Sequence, residues 1–210
     1  MKSNLSTREK HDFDIVAGTQ EVFRLLLDAL ANPGRPIDLS SHARRFTADG
    51  QWLAPALTLL DNETGFFWNG LTEVGEEIRF LSGAAQVSLE NADFVFLSSL
   101  GTELDTNAEK AGYEAERILS QVKDGTHRDP HDSALIFIAA GGKAEQPLTL
   151  KGPGIPPEGR IILLSTAEAA WIKARDARGF EYPRGVEIIF MREDYSLLAI
   201  TRKAAATWLT

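Results

Sequence analysis

Apolar residues recur along the chain with two periods, and these periods predict helices alternating with strands. Four apolar residues between positions 20 and 31 return every three or four residues, which predicts one buried face of a helix. They are Phe23, Leu26, Leu27 and Leu30. Asn32-Pro33-Gly34 ends this helix, because proline cannot continue it and glycine permits a sharp turn.

Further helices are predicted over residues 55–60, ending near residue 62, and over residues 108–121. The second of these has Ala111, Ala115, Ile118 and Leu119 facing inward. A last helix is predicted to begin with a capping box at Ser165 and Glu168 and to run to about residue 178.

Short apolar runs bounded by glycine, proline or polar residues predict strands. These runs cover residues 36–39, 65–69, 93–98, 134–140, 146–151, 161–164, 185–191 and 197–201. Residues 134–140 are apolar throughout, which is typical of a strand covered on both faces. The segment 146–151 is expected to pair with them as a hairpin across Gly141-Gly142. The last two strands are expected to be joined by a short turn.

This irregular alternation predicts the α/β class, with two antiparallel strand pairs in a mixed sheet covered by helices. The economical architecture is a three-layer α/β/α sandwich. No linker-like segment divides the sequence, so a single domain over residues 1–210 is expected, with a flexible N-terminal segment over about residues 1–14.

Composition removes several classes of function. The 210 residues include 22 Lys and Arg against 30 Asp and Glu, a net charge of −8, and no cysteine. Disulfides, thiolate zinc sites, iron–sulfur ligation and a cysteine nucleophile are therefore excluded, and the acidic balance argues against nucleic-acid binding. The longest apolar run, residues 134–140, is far shorter than the roughly 20 residues of a membrane helix. The N-terminus lacks the apolar core of a signal peptide, so we expect no membrane association and a cytoplasmic location.

Two glycine-containing segments are candidates for anion binding. In Lys151-Gly152-Pro153-Gly154 the glycines let the backbone approach a ligand, and Lys151 adds charge, although a tight turn is the commoner use of such glycines. In Arg184-Gly185 the guanidinium could bind a phosphate or carboxylate. The alternative is that Arg184 pairs with a structural carboxylate such as Glu187, or with a partner protein.

No residue is assignable to catalysis. His127 and His131 are separated by Pro130, which breaks the helical spacing that a metal pair needs, so no metal is assigned. The sequence has neither a phosphate-binding P-loop nor a serine nucleophile elbow. No lysine is singled out for a covalent cofactor, so none of that kind is expected.

An ordered series of motifs resembles the PhnH family, the H subunit of the bacterial carbon–phosphorus lyase core complex. The motifs are Phe23-Arg24 with Asn32-Pro33-Gly34, Leu59 to Thr64, Arg79-Phe80, Ala92-Asp93-Phe94, Gly125-Thr126 with Pro130 and Ser133-Ala134, Leu150 to Ile155, Pro183 to Phe190, and Leu197 to Arg202. Together they span residues 23–202. Thr201 and Lys203-Ala204 depart from the usual C-terminal motif, and Glu187 replaces an aspartate.

This resemblance implies a fold similar to pyridoxal-phosphate-dependent transferases but without the cofactor. It implies a subunit that forms homodimers alone and joins subunits G, I and J. That complex forms ribose 1-phosphonate 5-triphosphate from phosphonate and ATP. The ligand or interface candidates are then Pro33, Gly34, Lys151, Gly152, Pro153, Gly154, Arg184 and Gly185. The alternative is a stand-alone enzyme that binds a phosphoester or nucleotide, or a ligand-binding regulator.

Overall fold

A computed structural model describes residues 11–98 and 108–209 of the chain. Its α-helices are α1 Ala17–Ala31, α2 Ser40–Ala43, α3 Gly50–Leu59, α4 Thr72–Ser82, α5 Ala108–Leu119 and α6 Thr166–Arg178. Its strands are β1 Ile37–Asp38, β2 Gly65–Trp68, β3 Ala85–Gln86, β4 Phe94–Leu97, β5 Leu135–Ala140, β6 Gln146–Lys151, β7 Arg160–Leu164, β8 Glu187–Arg192, β9 Ser196–Ile200 and β10 Ala205–Trp208.

Seven strands form a central mixed sheet in the order β1-β9-β8-β5-β4-β2-β3. Strands β8, β5, β4, β2 and β3 run parallel, and β9 runs antiparallel to both of its neighbours. The other three strands form a small antiparallel sheet in the order β10-β6-β7. The predicted α/β class and mixed sheet are therefore confirmed.

Each face of the central sheet is covered by its own hydrophobic core, because side chains alternate along a strand. Ile188 and Phe190 of β8 face a core shared with α5, α6 and the small sheet. Ile189 and Met191 of the same strand face a core shared with α1, α3 and α4. The capping box at the start of α6 is confirmed, and Glu168 at its third position is 1% exposed.

The predicted hairpin between residues 134–140 and 146–151 is wrong. Strand β5 pairs in parallel with β4 and β8, whereas β6 pairs with β7 and β10 in the other sheet. The predicted antiparallel pair β8–β9 is confirmed. Helices α2 and α4 and strands β3 and β10 were not predicted, and α3 begins at Gly50, five residues before the predicted start.

Helix α1 forms where the periodicity predicts it, but the buried face is partly different. Val22, Leu26 and Ala29 are buried, whereas Phe23 is 46% exposed and Leu27 is 50% exposed. Residues 1–10 of the predicted flexible segment lie outside the described residues, and Phe13 is buried against Phe46. No helix in the described ranges is long and apolar enough to cross a membrane.

Candidate functional site at the amino edge of the central sheet

Most of the motifs found in the sequence meet at one edge of the central sheet, which we call the amino edge. It consists of the N-terminal ends of the parallel strands β2, β4, β5 and β8 and the C-terminal end of the antiparallel strand β9. The motifs that precede these parallel strands, and the motif that ends β9, are carried to the same edge by the topology of the sheet.

The loop after β6 is packed against this edge through its glycines. A Cβ on Gly154 would lie 2.0 Å from the carbonyl oxygen of Ala31, and one on Gly152 would lie 2.6 Å from that of Lys203. Both residues have positive φ, 76° and 149°, which side chains disfavour. These glycines therefore let the loop touch the end of α1 and the segment after β9.

Pro33 and Gly34 are fixed from the other side of the same contact. The N–H of Gly34 donates to the carbonyl oxygen of Ala199 in β9 over 2.8 Å. Nη1 of Arg160 donates to the carbonyl oxygens of Asn32, over 3.0 Å, and of Pro33. Arg160 thus satisfies carbonyls that the end of a helix leaves without partners.

Arg202 links the most segments at the amino edge, although sequence reasoning gave it no role. Its Nε donates to Oε1 of Glu187 over 2.6 Å, and Glu187 also accepts from the backbone N–H of Arg202 over 2.7 Å. Its terminal nitrogens donate to the carbonyl oxygen of Pro130 over 2.6 Å and to the hydroxyl of Ser133. A planar guanidinium suits this fork of acceptors. The sequence signal that could have identified Arg202 was its position at the end of a motif that resembles the family, directly after the predicted strand 197–201.

Arg184 forms an ion pair with Asp124, Nη2 to Oδ2, over 2.6 Å. Glu187, named from the sequence as an example partner, binds Arg202 instead. The hydrogen bond to Asp124 raises the pKa of the Arg184 guanidinium above its ordinary value. Its Nε is buried without an acceptor in the described part of the chain. The neighbouring Gly185 donates its N–H to the carbonyl oxygen of Asp124 over 2.9 Å.

Asp93, which belongs to the motif before β4, is bonded to two further segments at this edge. Its carboxylate accepts from the N–H of Gly65 over 2.8 Å and from Nζ of Lys123 over 2.6 Å. Burial raises the pKa of Asp93, but the hydrogen bonds and the charge of Lys123 act the other way. The pKa of Asp93 therefore lies below its ordinary value.

Two clefts open at the amino edge on either side of Tyr182, Arg202 and Lys203. The first, of about 490 Å³, is also lined by Leu30, Gly154 and Pro183. The second, of about 380 Å³, is also lined by Arg175, Asp176 and Arg184. Tyr182 is 69% exposed, and Nζ of Lys203 lies 5.4 Å from the centre of its ring, a cation–π distance.

Lys151 is the sequence candidate that the structure separates from the others. It ends β6 opposite Ala205 of β10, its side chain is exposed, and it lines neither cleft. Gly154 lines the first cleft and Arg184 lines the second. Lys151 therefore does not share a site with either of these residues.

The histidines do not converge on a common centre. His127 lies 3.4 Å from Glu181 and His131 lies 3.5 Å from Asp132, both at the surface. Within residues 11–98 and 108–209, no group of three or more metal-ligating side chains is close enough to hold an ion.

Comparison with known families identifies the chain. The family model described as bacterial phosphonate metabolism protein (PhnH) matches residues 11–207, which is nearly the whole sequence. No curated protein matches the chain. The family match includes every segment that meets at the amino edge. The chain therefore belongs to the PhnH family of bacterial phosphonate metabolism proteins.

Proposed function

We propose that this chain is the H-type subunit of a carbon–phosphorus lyase core complex, in which it supports formation of ribose 1-phosphonate 5-triphosphate from phosphonate and ATP. The family match over residues 11–207 carries the proposal. The amino edge supports it, because the motifs that resemble the family gather there rather than at the opposite edge. Ligands of parallel α/β sheets usually bind at the opposite edge, the carboxyl ends of the strands. Motifs gathered at the amino edge therefore favour a role other than the usual ligand site of such sheets.

The pairing of the basic side chains favours an accessory role over catalysis. Arg175, Arg184 and Arg202 each form an ion pair with a carboxylate, at distances between 2.6 and 2.7 Å. Their charges are thus largely balanced within the fold. The fourth positively charged side chain that lines the clefts, Lys203, forms no ion pair with a carboxylate of the described residues and lies over the ring of Tyr182 instead. We assign no catalytic residue and no cofactor to this chain.

The proposed partners are subunits G, I and J, with a homodimer when the chain is alone and a cytoplasmic location. We propose that the two covered faces of the central sheet correspond to a three-layer α/β/α sandwich of the pyridoxal-phosphate transferase type. The exposed Tyr182 beside the apolar residues Leu30 and Pro183 suits contact with another protein, because aromatic residues are enriched in interfaces.

Co-expression with the G, I and J subunits of the same genome tests this proposal. We expect a stoichiometric complex that survives purification. Tyr182→Asp should reduce recovery of the complex at least tenfold, because a charge would enter an apolar contact. Tyr113→Asp is the matched control, since Tyr113 is 71% exposed on α5, and it should leave recovery unchanged.

Failure to assemble while all four proteins remain soluble would contradict the assignment. Turnover of a phosphoester by the isolated chain, lost in Arg184→Ala, would favour the stand-alone enzyme instead. Tight binding of such a ligand without turnover would favour a regulator.

A further inference from the structure

Positive side chains are concentrated in the second cleft, although the chain as a whole is acidic. Four cationic side chains and one carboxylate, that of Asp176, line this cleft, whereas the net charge of the chain is −8. The four are Arg175, Arg184, Arg202 and Lys203. The carboxylates of Asp124 and Glu187, which pair with two of these arginines, are not among the lining residues. The cleft therefore presents an excess of positive charge, which attracts anions.

Two of the four cations are fully occupied by the fold. Every guanidinium nitrogen of Arg175 donates to the carboxylate of Asp176 or to a backbone carbonyl oxygen. Every guanidinium nitrogen of Arg202 likewise has an acceptor on a neighbouring segment. These two arginines therefore shape the wall of the cleft, and an anion has to be held by Arg184 and Lys203.

Lys203 carries an exposed ammonium that no carboxylate in the described ranges neutralises. Its Nζ lies 5.4 Å from the centre of the Tyr182 ring. This cation–π contact holds the ammonium at the wall of the cleft and brings no negative charge to it. A lysine ammonium is a compact point charge that commonly binds phosphate groups.

Arg184 offers a second donor that is already held in place. Its Nη2 donates to Oδ2 of Asp124 over 2.6 Å. Its Nε is enclosed, whereas Nη1 is neither enclosed nor bonded to any group of the residues that the structure describes. The side chain of Asp124 is only 16% exposed. The buried carboxylate thus orients the guanidinium and leaves Nη1 for the cleft that Arg184 lines.

The rest of the cleft suits a small organic group. Its apolar walls are formed by Phe180, Val186 and the alanines at 204–206. Gly185 has a φ of 138°, and a Cβ there would lie 3.1 Å from Cβ of Arg202 and 3.7 Å from Cβ of Phe180. A side chain at Gly185 would therefore crowd the space between these two walls. The volume of about 380 Å³ lies within the range of small-molecule pockets, about 300–1,000 Å³.

We propose that the second cleft binds the dianion of a phosphonate or a phosphate monoester, with its oxygens held by Lys203 and by Nη1 of Arg184. Such a group carries three acceptor oxygens and nearly two negative charges, so it can accept from both side chains at once. Its organic part would lie against Phe180 and Val186. The proposal concerns binding alone, with no bond made or broken. It goes beyond the proposed function, because assembly with G, I and J does not require it.

Titrations of the full chain with methylphosphonate, methyl phosphate and acetate, followed by amide NMR chemical shifts, test the proposal. We expect both dianions to bind weakly, because three of the four cations are already paired with carboxylates. The largest shifts should occur at Gly185 and Ala204, which line the cleft. Acetate should bind about tenfold more weakly, because it has a single charge and two oxygens.

Lys203→Met should weaken binding of the dianions about tenfold, since it removes a charged hydrogen bond, and the exposed position should leave the fold intact. Lys203→Arg keeps the charge and should retain binding. Lys173→Met is the matched control. Lys173 also lies over an aromatic ring, with Nζ 4.7 Å from the centre of Trp208, but it lines neither cleft. This variant should bind the dianions as the wild type does.

The proposal is overturned if neither dianion binds, if acetate binds as tightly, if the largest shifts lie away from the cleft, or if the two lysine-to-methionine variants behave alike. A preference for methylphosphonate would support the site and identify phosphonates as its ligands, and the reverse preference would support it with phosphate esters. These titrations use the chain alone. A chain that assembles with G, I and J but binds neither dianion would keep the subunit assignment and lose this site.

Discussion

Strand β8 begins and ends in an ion pair, and the two pairs serve different purposes. At its carboxyl end, Nε of Arg192 lies 2.7 Å from Oε1 of Glu168. At its amino end, Glu187 lies 2.6 Å from Nε of Arg202. The side chain of Glu168 is 1% exposed, whereas that of Glu187 is 22% exposed and adjoins a cleft.

The difference lies in what each arginine connects. Arg192 joins the first turn of α6 to β8 and donates to the carbonyl of Leu163, so its contacts stabilise neighbouring elements of the fold. Arg202 connects the loops around Pro130 and Ser133 to β8, at the edge where the family motifs meet. The buried pair therefore supports the scaffold, and the cleft-side pair supports the shape of the candidate interaction surface.

The largest effect is expected from Arg192→Met. This variant leaves the carboxylate of Glu168 buried without its cation, which costs about 3–5 kcal/mol of unfolding free energy. Denaturant titration measures the loss. The double variant Glu168→Gln with Arg192→Met removes the stranded charge and should recover most of it. A single variant within about 1 kcal/mol of the wild type would show that this pair is not a scaffold element.

The sequence predicted helices α1, α3, α5 and α6 but neither α2 nor α4, and it did not predict the buried side of α1. Phe23, Leu26 and Leu27 mark a helix by their spacing, yet Val22, Leu26 and Ala29 form its buried face. The apolar residues of α1 extend over more than one side of the helix. Periodicity establishes the helix, and packing against α3 and the sheet decides which side is buried.

Strand pairing was predictable only where it is local. The β8–β9 turn pairs consecutive strands and was predicted correctly. The β5–β6 hairpin was also a local prediction, but β5 pairs with β8, which follows only after β6, β7 and α6. The nearest segment in sequence is therefore the wrong partner when a parallel strand competes for the same edge.

The sequence predicted the motifs that form the candidate site, but it did not predict which of their side chains are in contact. Gly154 and Pro33-Gly34 were singled out from the sequence, and they meet at the end of α1. Asp124, the partner of Arg184, has no motif of its own, so the pair was found only in three dimensions. Lys151, by contrast, lies in a motif but outside the site. It is next to Gly152 in the sequence, yet its side chain lines neither cleft.

An intermediate effect is expected from Arg202→Lys. A lysine keeps the charge but cannot donate to Glu187, Pro130 and Ser133 together. We expect a loss of about 2–3 kcal/mol of unfolding free energy and lower recovery of the complex with G, I and J. Arg128→Lys, in the exposed loop before β5, should change neither quantity. Equal behaviour of the two variants would contradict the role assigned to Arg202.

The smallest effect concerns the pH dependence contributed by Asp93. Because the pKa of Asp93 is lowered in the folded chain, its ionised form stabilises the fold at pH values above the unfolded pKa of about 3.9. That contribution is lost as the pH falls through the folded pKa. It should amount to about 1 kcal/mol or less, because the side chain of Asp93 is 40% exposed and solvent screens the pair.

The variant Lys123→Met removes the hydrogen bond and the charge by which Lys123 lowers the pKa of Asp93, while burial, which raises that pKa, and the hydrogen bond from the N–H of Gly65, which lowers it, both remain. The pKa should therefore rise, and the acid-side loss of stability should begin at a higher pH. Carbon NMR titration of the Asp93 carboxyl measures the pKa directly. Lys173→Met is the control, because Lys173 lies over the ring of Trp208 on another part of the surface. A pKa that moves equally in both variants, or in neither, would mean that Lys123 does not hold the carboxylate that joins β2 and β4 at the amino edge.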